Sequence, residues 1–216
     1  MTAVLFDMDG VIIDSEDYWV EREREHILPM TVPDETVPVA EISGMNYRET
    51  YEYLESNYET AISRERFVEV FAETAREIYS EHVSLLPGFH DHLDELHDRD
   101  ATVALVTSSP HDWIEIVFDR FDLEGRFDEI VSGEDIEGPG KPHPYIFEQA
   151  ATKINREPGD CVAVEDSENG VQSASRAGTY TVAYRIDAHT GLDLSPADAI
   201  VETPRELRET VLERVS

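Results

Sequence analysis

Asp7 and Asp9 close an apolar run, Val4-Leu5-Phe6, and Gly10 follows at once. A short apolar run bounded by glycine reads as a buried parallel strand. Side chains two apart on an extended segment point the same way, so both carboxylates leave the C-terminal end of that strand together. Open α/β sheets place their ligands there. Two neighbouring carboxylates repel, and a hard cation such as Mg²⁺, which takes oxygen ligands, would relieve the repulsion. Gly10 lets the backbone turn away sharply. Taken alone, the stretch also describes two turn acids after a strand.

Polar groups close two further apolar runs. Thr107 and Ser108 follow residues 102–106, and Glu165 and Asp166 follow residues 161–164. In a parallel sheet the C-terminal strand ends share one edge, so these clusters converge with Asp7 and Asp9. Gly138-Pro139-Gly140-Lys141-Pro142-His143-Pro144 precedes a helical pattern and adds a lysine. Acids, hydroxyls at a helix N-terminus and one lysine make a site for a metal and a phosphate. Neither G-x-x-x-x-G-K-[ST] nor G-x-G-x-x-G occurs, which excludes the glycine-rich nucleotide cradles.

The elements that must position these groups alternate. Helical periods cover residues 89–99, 113–121, 144–154, 169–177 and 206–215, with Gly178 as a C-cap. Strand patterns cover 102–106, 129–131, 161–164, 180–183 and 199–201. Alternating strands and helices with short links predict a doubly wound parallel sheet, a Rossmann-like core. Residues 15–83 interrupt it without a strand signal. Tyr47, Tyr51, Leu54 and Tyr58 recur at helical spacing, and Phe67, Val70, Phe71 and Ile78 trace a second stripe that Ser63 caps. Prolines 29, 33 and 38 mark a looped passage. The expected organisation is a core of 1–14 and 84–216 with an all-helical insert, 15–83, serving as a cap. His90, His92 and His97 lie on one helix without a fourth partner and read as surface histidines. Trp113 and the tyrosines of the insert read as core.

The formal net charge is −31, and only Lys141 and Lys153 of the 17 basic residues are lysines. The acids are spread along the chain, so self-repulsion should be screened by salt, as in proteins of a very salty cytoplasm. Such a surface disfavours nucleic acid or an anionic membrane as a partner. The chain shows no stretch of about 20 apolar residues and no basic leader before its first apolar run. With the single Cys161, this points to a cytoplasmic protein, monomeric or a small homo-oligomer.

The four motifs resemble those of haloacid dehalogenase superfamily phosphohydrolases, in the branch with a helical cap after the first motif. Asp7-Met8-Asp9-Gly10-Val11 matches D-x-D-G-[VT]. Ala104-Leu105-Val106-Thr107-Ser108-Ser109 matches the strand ending in Ser or Thr. Gly140-Lys141-Pro142-His143-Pro144 matches the lysine motif, and Val164-Glu165-Asp166-Ser167-Glu168-Asn169-Gly170 the acidic one. Order, spacing and insert agree over essentially the whole chain.

The resemblance implies a Mg²⁺-dependent phosphatase acting on a small phosphorylated metabolite. Asp7 would be the nucleophile that forms an aspartyl-phosphate. Asp9 would protonate the leaving oxygen and then take a proton from water. Asp7, the main-chain carbonyl of Asp9, and Asp166 would hold Mg²⁺, with Glu165 as an additional or outer ligand. Thr107 and Ser108 would hold the phosphoryl oxygens, and Lys141 would neutralise developing charge. Gly44-Met45-Asn46-Tyr47-Arg48-Glu49 resembles the cap loop that reaches the substrate. There Arg48 is either a bidentate grip on a distal anion or a helix N-terminal arginine. The alternative activity is a phosphosugar mutase, such as β-phosphoglucomutase. Sugar-phosphate relatives commonly carry His where this chain has Tyr18-Trp19, which argues for hydrolysis. A signalling receiver domain would be about half the length, without an insert. A non-catalytic relative would not keep Asp7, Asp9, Lys141 and Asp166.

Overall fold

The computed structural model describes residues 2–42, 45–186 and 191–215. Six parallel strands form one sheet in the order β3-β2-β1-β4-β5-β6. They are β1 (Ala3–Phe6), β2 (Thr102–Thr107), β3 (Glu129–Ser132), β4 (Cys161–Glu165), β5 (Tyr180–Tyr184) and β6 (Ala199–Val201). The order reverses at β1, which has β2 on one side and β4 on the other. This is the switch point at which a doubly wound sheet opens a crevice.

Alternation along β1 sends its side chains to two cores. Val4 and Phe6 pack with Leu93, Leu96, Val117 and Leu207 on one face. Ala3 and Leu5 pack with Ile146, Phe147 and Ala150 on the other. The covering helices are α5 (Phe89–Asp98), α6 (His111–Phe121), α7 (Tyr145–Lys153), α8 (Glu168–Ala177) and α9 (Pro204–Arg214). The last begins earlier than its periodicity predicts, because Thr203 caps it and Pro204 occupies its first turn. Gly178, at φ 90°, closes α8 as expected.

Residues 15–83 hold no strand among the described residues. They hold α1 (Glu16–Arg22), α2 (Leu28–Thr31), α3 (Tyr47–Asn57) and α4 (Arg64–Glu77). Asn46 and Ser63 cap α3 and α4 with their side chains. A π-helical turn, Glu23–Ile27, joins α1 to α2, and another, Ile78–His82, extends α4. The chain enters and leaves this block side by side, since Asp14 donates to the Ser84 carbonyl and Leu86 to that of Ile12. The block's apolar residues continue the core on the α5 face of the sheet. No helix among the described residues is long and apolar enough to cross a membrane.

One expectation fails. His92 is not on the surface: it is 2% exposed, edge-on to Phe6 at 5.8 Å, and neither ring nitrogen has a hydrogen-bond partner. It occupies the apolar face of α5 with Phe89, Leu93 and Leu96. Burial, aided by Arg208 and Arg99 against Glu95, pushes its pKa down to about 4. The unfolded chain binds a proton near pH 6.5, and the folded chain does not until about pH 4. His92 therefore leaves stability intact above pH 6.5 and removes up to about 3 kcal/mol as pH falls through that window. Melting temperatures at pH 7 and 4.5 should differ less in His92→Leu than in the parent. Equal differences would remove His92 from the acid response.

Candidate active site

Sheet register places the first two clusters together. Phe6 pairs with Leu105 on β2 and Val164 on β4, so the next residue, Asp7, lies beside Val106 and Glu165. Asp7 is buried, and its amide donates to the Val164 carbonyl at 3.0 Å. Lys141 reaches the same point from the loop before α7. Its Nζ donates to Asp7 Oδ1 at 2.9 Å, Glu165 Oε1 at 2.5 Å and the Val106 carbonyl at 3.3 Å. That loop is fastened to α8, where Ser173 donates to the His143 carbonyl and Arg176 to that of Pro142.

Two glycines make room for the acids. A Cβ on Gly170 would stand 1.9 Å from Glu165 Oε2, and one on Gly10 would stand 1.9 Å from Asp166 Oδ2. Gly10 also sits at φ +72°, where a side chain is strained. Glu165 Oε2 accepts from the Asp166 amide and the Ser167 hydroxyl, both at 3.2 Å.

Asp7, Glu165 and Asp166 each bring a carboxylate oxygen within 4.8 Å of the others. Burial, and then the charge on Glu165, hold the Asp7 carboxyl well above the usual range, against the pull of Lys141. Burial would lower the Lys141 ammonium, but Asp7 and Glu165 override it and hold it above the ordinary lysine value. One ammonium faces three buried carboxylates, so the cluster carries an excess of negative charge. The donors are all oxygen. A hard divalent cation fits both the charge and the donor chemistry.

Asp9 has its own partners. Its Oδ1 accepts from Ser15 at 2.6 Å and Tyr79 at 2.8 Å, and its Oδ2 accepts from Ser109 at 2.8 Å. Burial and then Glu16 raise its pKa, while the hydroxyls from Ser15, Ser109 and Tyr79 oppose the rise. Sequence reading missed these three hydroxyls. Ser109 extends the Thr107-Ser108 cluster and Ser15 precedes a helix, so both carried a local signal. Tyr79 carried none: it is 70 positions from Asp9, on the π-helical turn after α4.

Thr107 and Ser108, at the end of β2, line a cavity of about 100 Å³ together with Asp7, Asp9, Lys141 and Asp166. The Thr107 hydroxyl accepts from the Ser109 amide, and the Ser108 carbonyl accepts from Asn46 Nδ2. Aromatic side chains line the cavity too. Trp19 stacks on Phe71 at 5.4 Å and on Trp113 at 5.7 Å, and Tyr47 lies 5.3 Å from Trp113. Trp113 and Tyr47 thus wall the cavity as well as joining the core. Glu165 lies behind Lys141 and outside the lining. Arg48 is absent from that lining too, and instead lines a second cavity of about 160 Å³ that shares Asn46, Ser108 and Lys141 with the first. Its guanidinium bonds Glu134 at 3.0 Å and lies over the Tyr47 ring, while Glu49 accepts from the Gly140 amide. Gly44, the start of the loop containing Arg48, falls outside the described residues.

Known proteins share this architecture. Residues 4–184 match the family described as haloacid dehalogenase-like hydrolase. A phosphorylated carbohydrates phosphatase of Thermotoga maritima is 31% identical, with 99% of each chain covered. A β-phosphoglucomutase of Bacillus subtilis is 27% identical, covering 96% of this chain and 92% of its own. The crystal structure of β-phosphoglucomutase from Clostridium difficile superposes with a TM-score of 0.80 at 22% identity, covering 100% of this chain and 97% of its own. That likeness shows the fold. Family and relatives agree with the acid cluster at the switch point: the chain belongs to the haloacid dehalogenase-like hydrolases, as a phosphomonoester hydrolase of the cap-containing branch.

Proposed function

We propose that the chain hydrolyses a small phosphorylated metabolite through an aspartyl-phosphate on Asp7. The observation that carries this reading is the placement of Asp7. Its carboxylate is gripped by Lys141 at 2.9 Å and lines the same cavity as Asp9. In the first step an Asp7 oxygen bonds to phosphorus, the bond from phosphorus to the alcohol oxygen breaks, and Asp9 gives that oxygen its proton. In the second step water attacks phosphorus, its proton goes to Asp9, and Asp7 is released. The Thr107 hydroxyl and the Ser108 amide hold the phosphoryl oxygens, and Lys141 offsets the charge that develops on them.

Asp7, the Asp9 carbonyl and Asp166 would hold Mg²⁺, with Glu165 outside them. Bound there, the ion would withdraw charge from the phosphoryl group. Exhaustive EDTA treatment should abolish phosphate release, Mg²⁺ should restore it, and Ca²⁺, with its longer and more numerous ligands, should restore little. Undiminished activity in EDTA would refute the metal role. Residues 15–83 serve as the cap that excludes water and selects the substrate.

The named relatives also support a mutase reading. A mutase must shield the aspartyl-phosphate from water while a sugar bisphosphate turns over. Trp19 packs into an aromatic wall where sugar-phosphate relatives carry a polar group, which favours hydrolysis. Supplying β-glucose 1-phosphate with catalytic glucose 1,6-bisphosphate decides the matter. Glucose 6-phosphate forming much faster than free phosphate would reverse the choice.

With a formal charge of −31, repulsion between exposed carboxylates should weaken the fold in dilute buffer. Near 1 M salt the Debye length falls to about 3 Å, so the melting temperature should climb steeply with KCl. A flat response would remove salt from the account of this surface.

A further inference from the structure

Three hydroxyls hold Asp9, and they come from three parts of the chain. Ser15 is six positions away, Ser109 ends the polar cluster after β2, and Tyr79 arrives from the far end of the helical block, 70 positions on. Tyr79 is fully buried and is itself held on three sides. Trp19 Nε1 donates to its hydroxyl at 3.1 Å, the Trp113 ring lies 5.9 Å from its own, and Arg120 of α6 donates to its main-chain carbonyl at 2.7 Å. It stands on the π-helical turn Ile78–His82, a rare geometry that concentrates at functional sites. One partner satisfies a buried phenol. This one has two, accepting from Trp19 and donating to Asp9 at 2.8 Å.

The two oxygens of Asp9 are not equally engaged. Each oxygen of an ionised carboxylate offers about two lone-pair sites. Oδ1 accepts from both Ser15 and Tyr79 and is filled, whereas among the described residues Oδ2 accepts from Ser109 alone. We infer that Tyr79 is a positioning residue for the acid–base step: oriented by Trp19, it fixes the Asp9 carboxyl through Oδ1 and leaves Oδ2 to carry the proton. The inference rests on the phosphatase reading above. As the bond from phosphorus to the alcohol oxygen breaks, the proton passes from Oδ2 to that oxygen. As water attacks the aspartyl-phosphate, its proton returns to Oδ2. A carboxyl free to turn about Cβ–Cγ would present the filled oxygen half the time, and Tyr79 with Ser15 prevents the turn. Trp19 and Tyr79 belong to the helical block and Asp9 to the end of β1, so these hydrogen bonds also tie the acid–base group to the seating of the block on the sheet.

Leaving groups separate this role from a structural one. An alkoxide needs a proton as it leaves, whereas p-nitrophenolate leaves without one near neutral pH. The value of kcat/KM reports the steps through departure of the alcohol, so it isolates the first proton transfer. In the Mg²⁺-loaded enzyme, Tyr79→Phe should lower kcat/KM for glycerol 1-phosphate and sorbitol 6-phosphate by about 10-fold or more, but for p-nitrophenyl phosphate by less than about 2-fold. Trp19→Phe removes the Nε1 donor and keeps a ring. It should show the same bias at smaller size, and it carries the comparison if Tyr79→Phe does not fold. An equal loss on alkyl and aryl esters, or no loss on either, would make Tyr79 a packing residue and overturn the inference. So would a parent that hydrolyses p-nitrophenyl phosphate and neither alkyl ester. Each of these results leaves the phosphatase reading standing. Absence of hydrolysis of all three esters by the parent would overturn the phosphatase reading and this inference with it.

Discussion

Asp7→Asn is expected to lower phosphate release by at least about 10⁴-fold, because an amide is a poor nucleophile and cannot be replaced by water at the same point. The fold should survive. Burial, and then repulsion from Glu165 and Asp166, raise the pKa of Asp7, so loss of its charge relieves the metal-free cluster. Lys141 keeps Glu165 and the Val106 carbonyl as partners. Without metal, the variant should melt at or above the parent's temperature. With Mg²⁺ the order should change, since the parent gains a ligand-linked increment that the variant largely loses. Asp9→Asn should also be severe, yet it leaves Asp7 free to accept the phosphoryl group. Intact-mass spectra of that variant should show one added phosphoryl. Wild-type turnover in Asp7→Asn would end the mechanism proposed here.

Lys141→Met is expected to cost both activity and stability. The side chain is 4% exposed and bridges two buried carboxylates. Removing one partner of a buried ion pair leaves uncompensated charge, at a typical cost of about 3–5 kcal/mol. Part of that returns when Asp7 takes up a proton, so about 3 kcal/mol is the expected loss in a urea titration at pH 7. Turnover should fall by about 10²–10³-fold, the usual effect of losing one charge-stabilising donor in a dry site. Assays well below the melting temperature keep the two effects apart. A folded Lys141→Met enzyme with normal turnover would assign Lys141 to stability alone.

Asp7 and Lys141 differ in how plainly the chain announces them. Asp7, Thr107 and Glu165 each close a short apolar run, and such runs become parallel strands buried on both faces because nothing local competes. Strand ends in a parallel sheet share an edge, so convergence follows from the pattern. Lys141 required more: a loop that follows Gly138 and Gly140 could have gone to solvent, and its capture by Asp7 depends on the fastening of residues 142–143 to α8. The helix α1 was only weakly legible, since Trp19 is its one buried residue and charge dominates its composition. Yet α1 supplies Glu16 and Trp19 to the cavity.

Local pattern accounts for the α/β alternation, the helical block between β1 and α5, and the four polar clusters at strand ends and before α7. Each follows from hydrophobic period and from glycine, proline and capping residues, which act over a few positions. Packing at long range accounts for the rest. It gave Asp9 the Tyr79 hydroxyl, tied Arg48 to Glu134 86 positions away, and buried His92 against Phe6. Those outcomes turn on which helix face meets which strand end once the chain is packed. A residue's type and neighbours specify its chemistry, but the partner that directs it arrives from the far side of the fold.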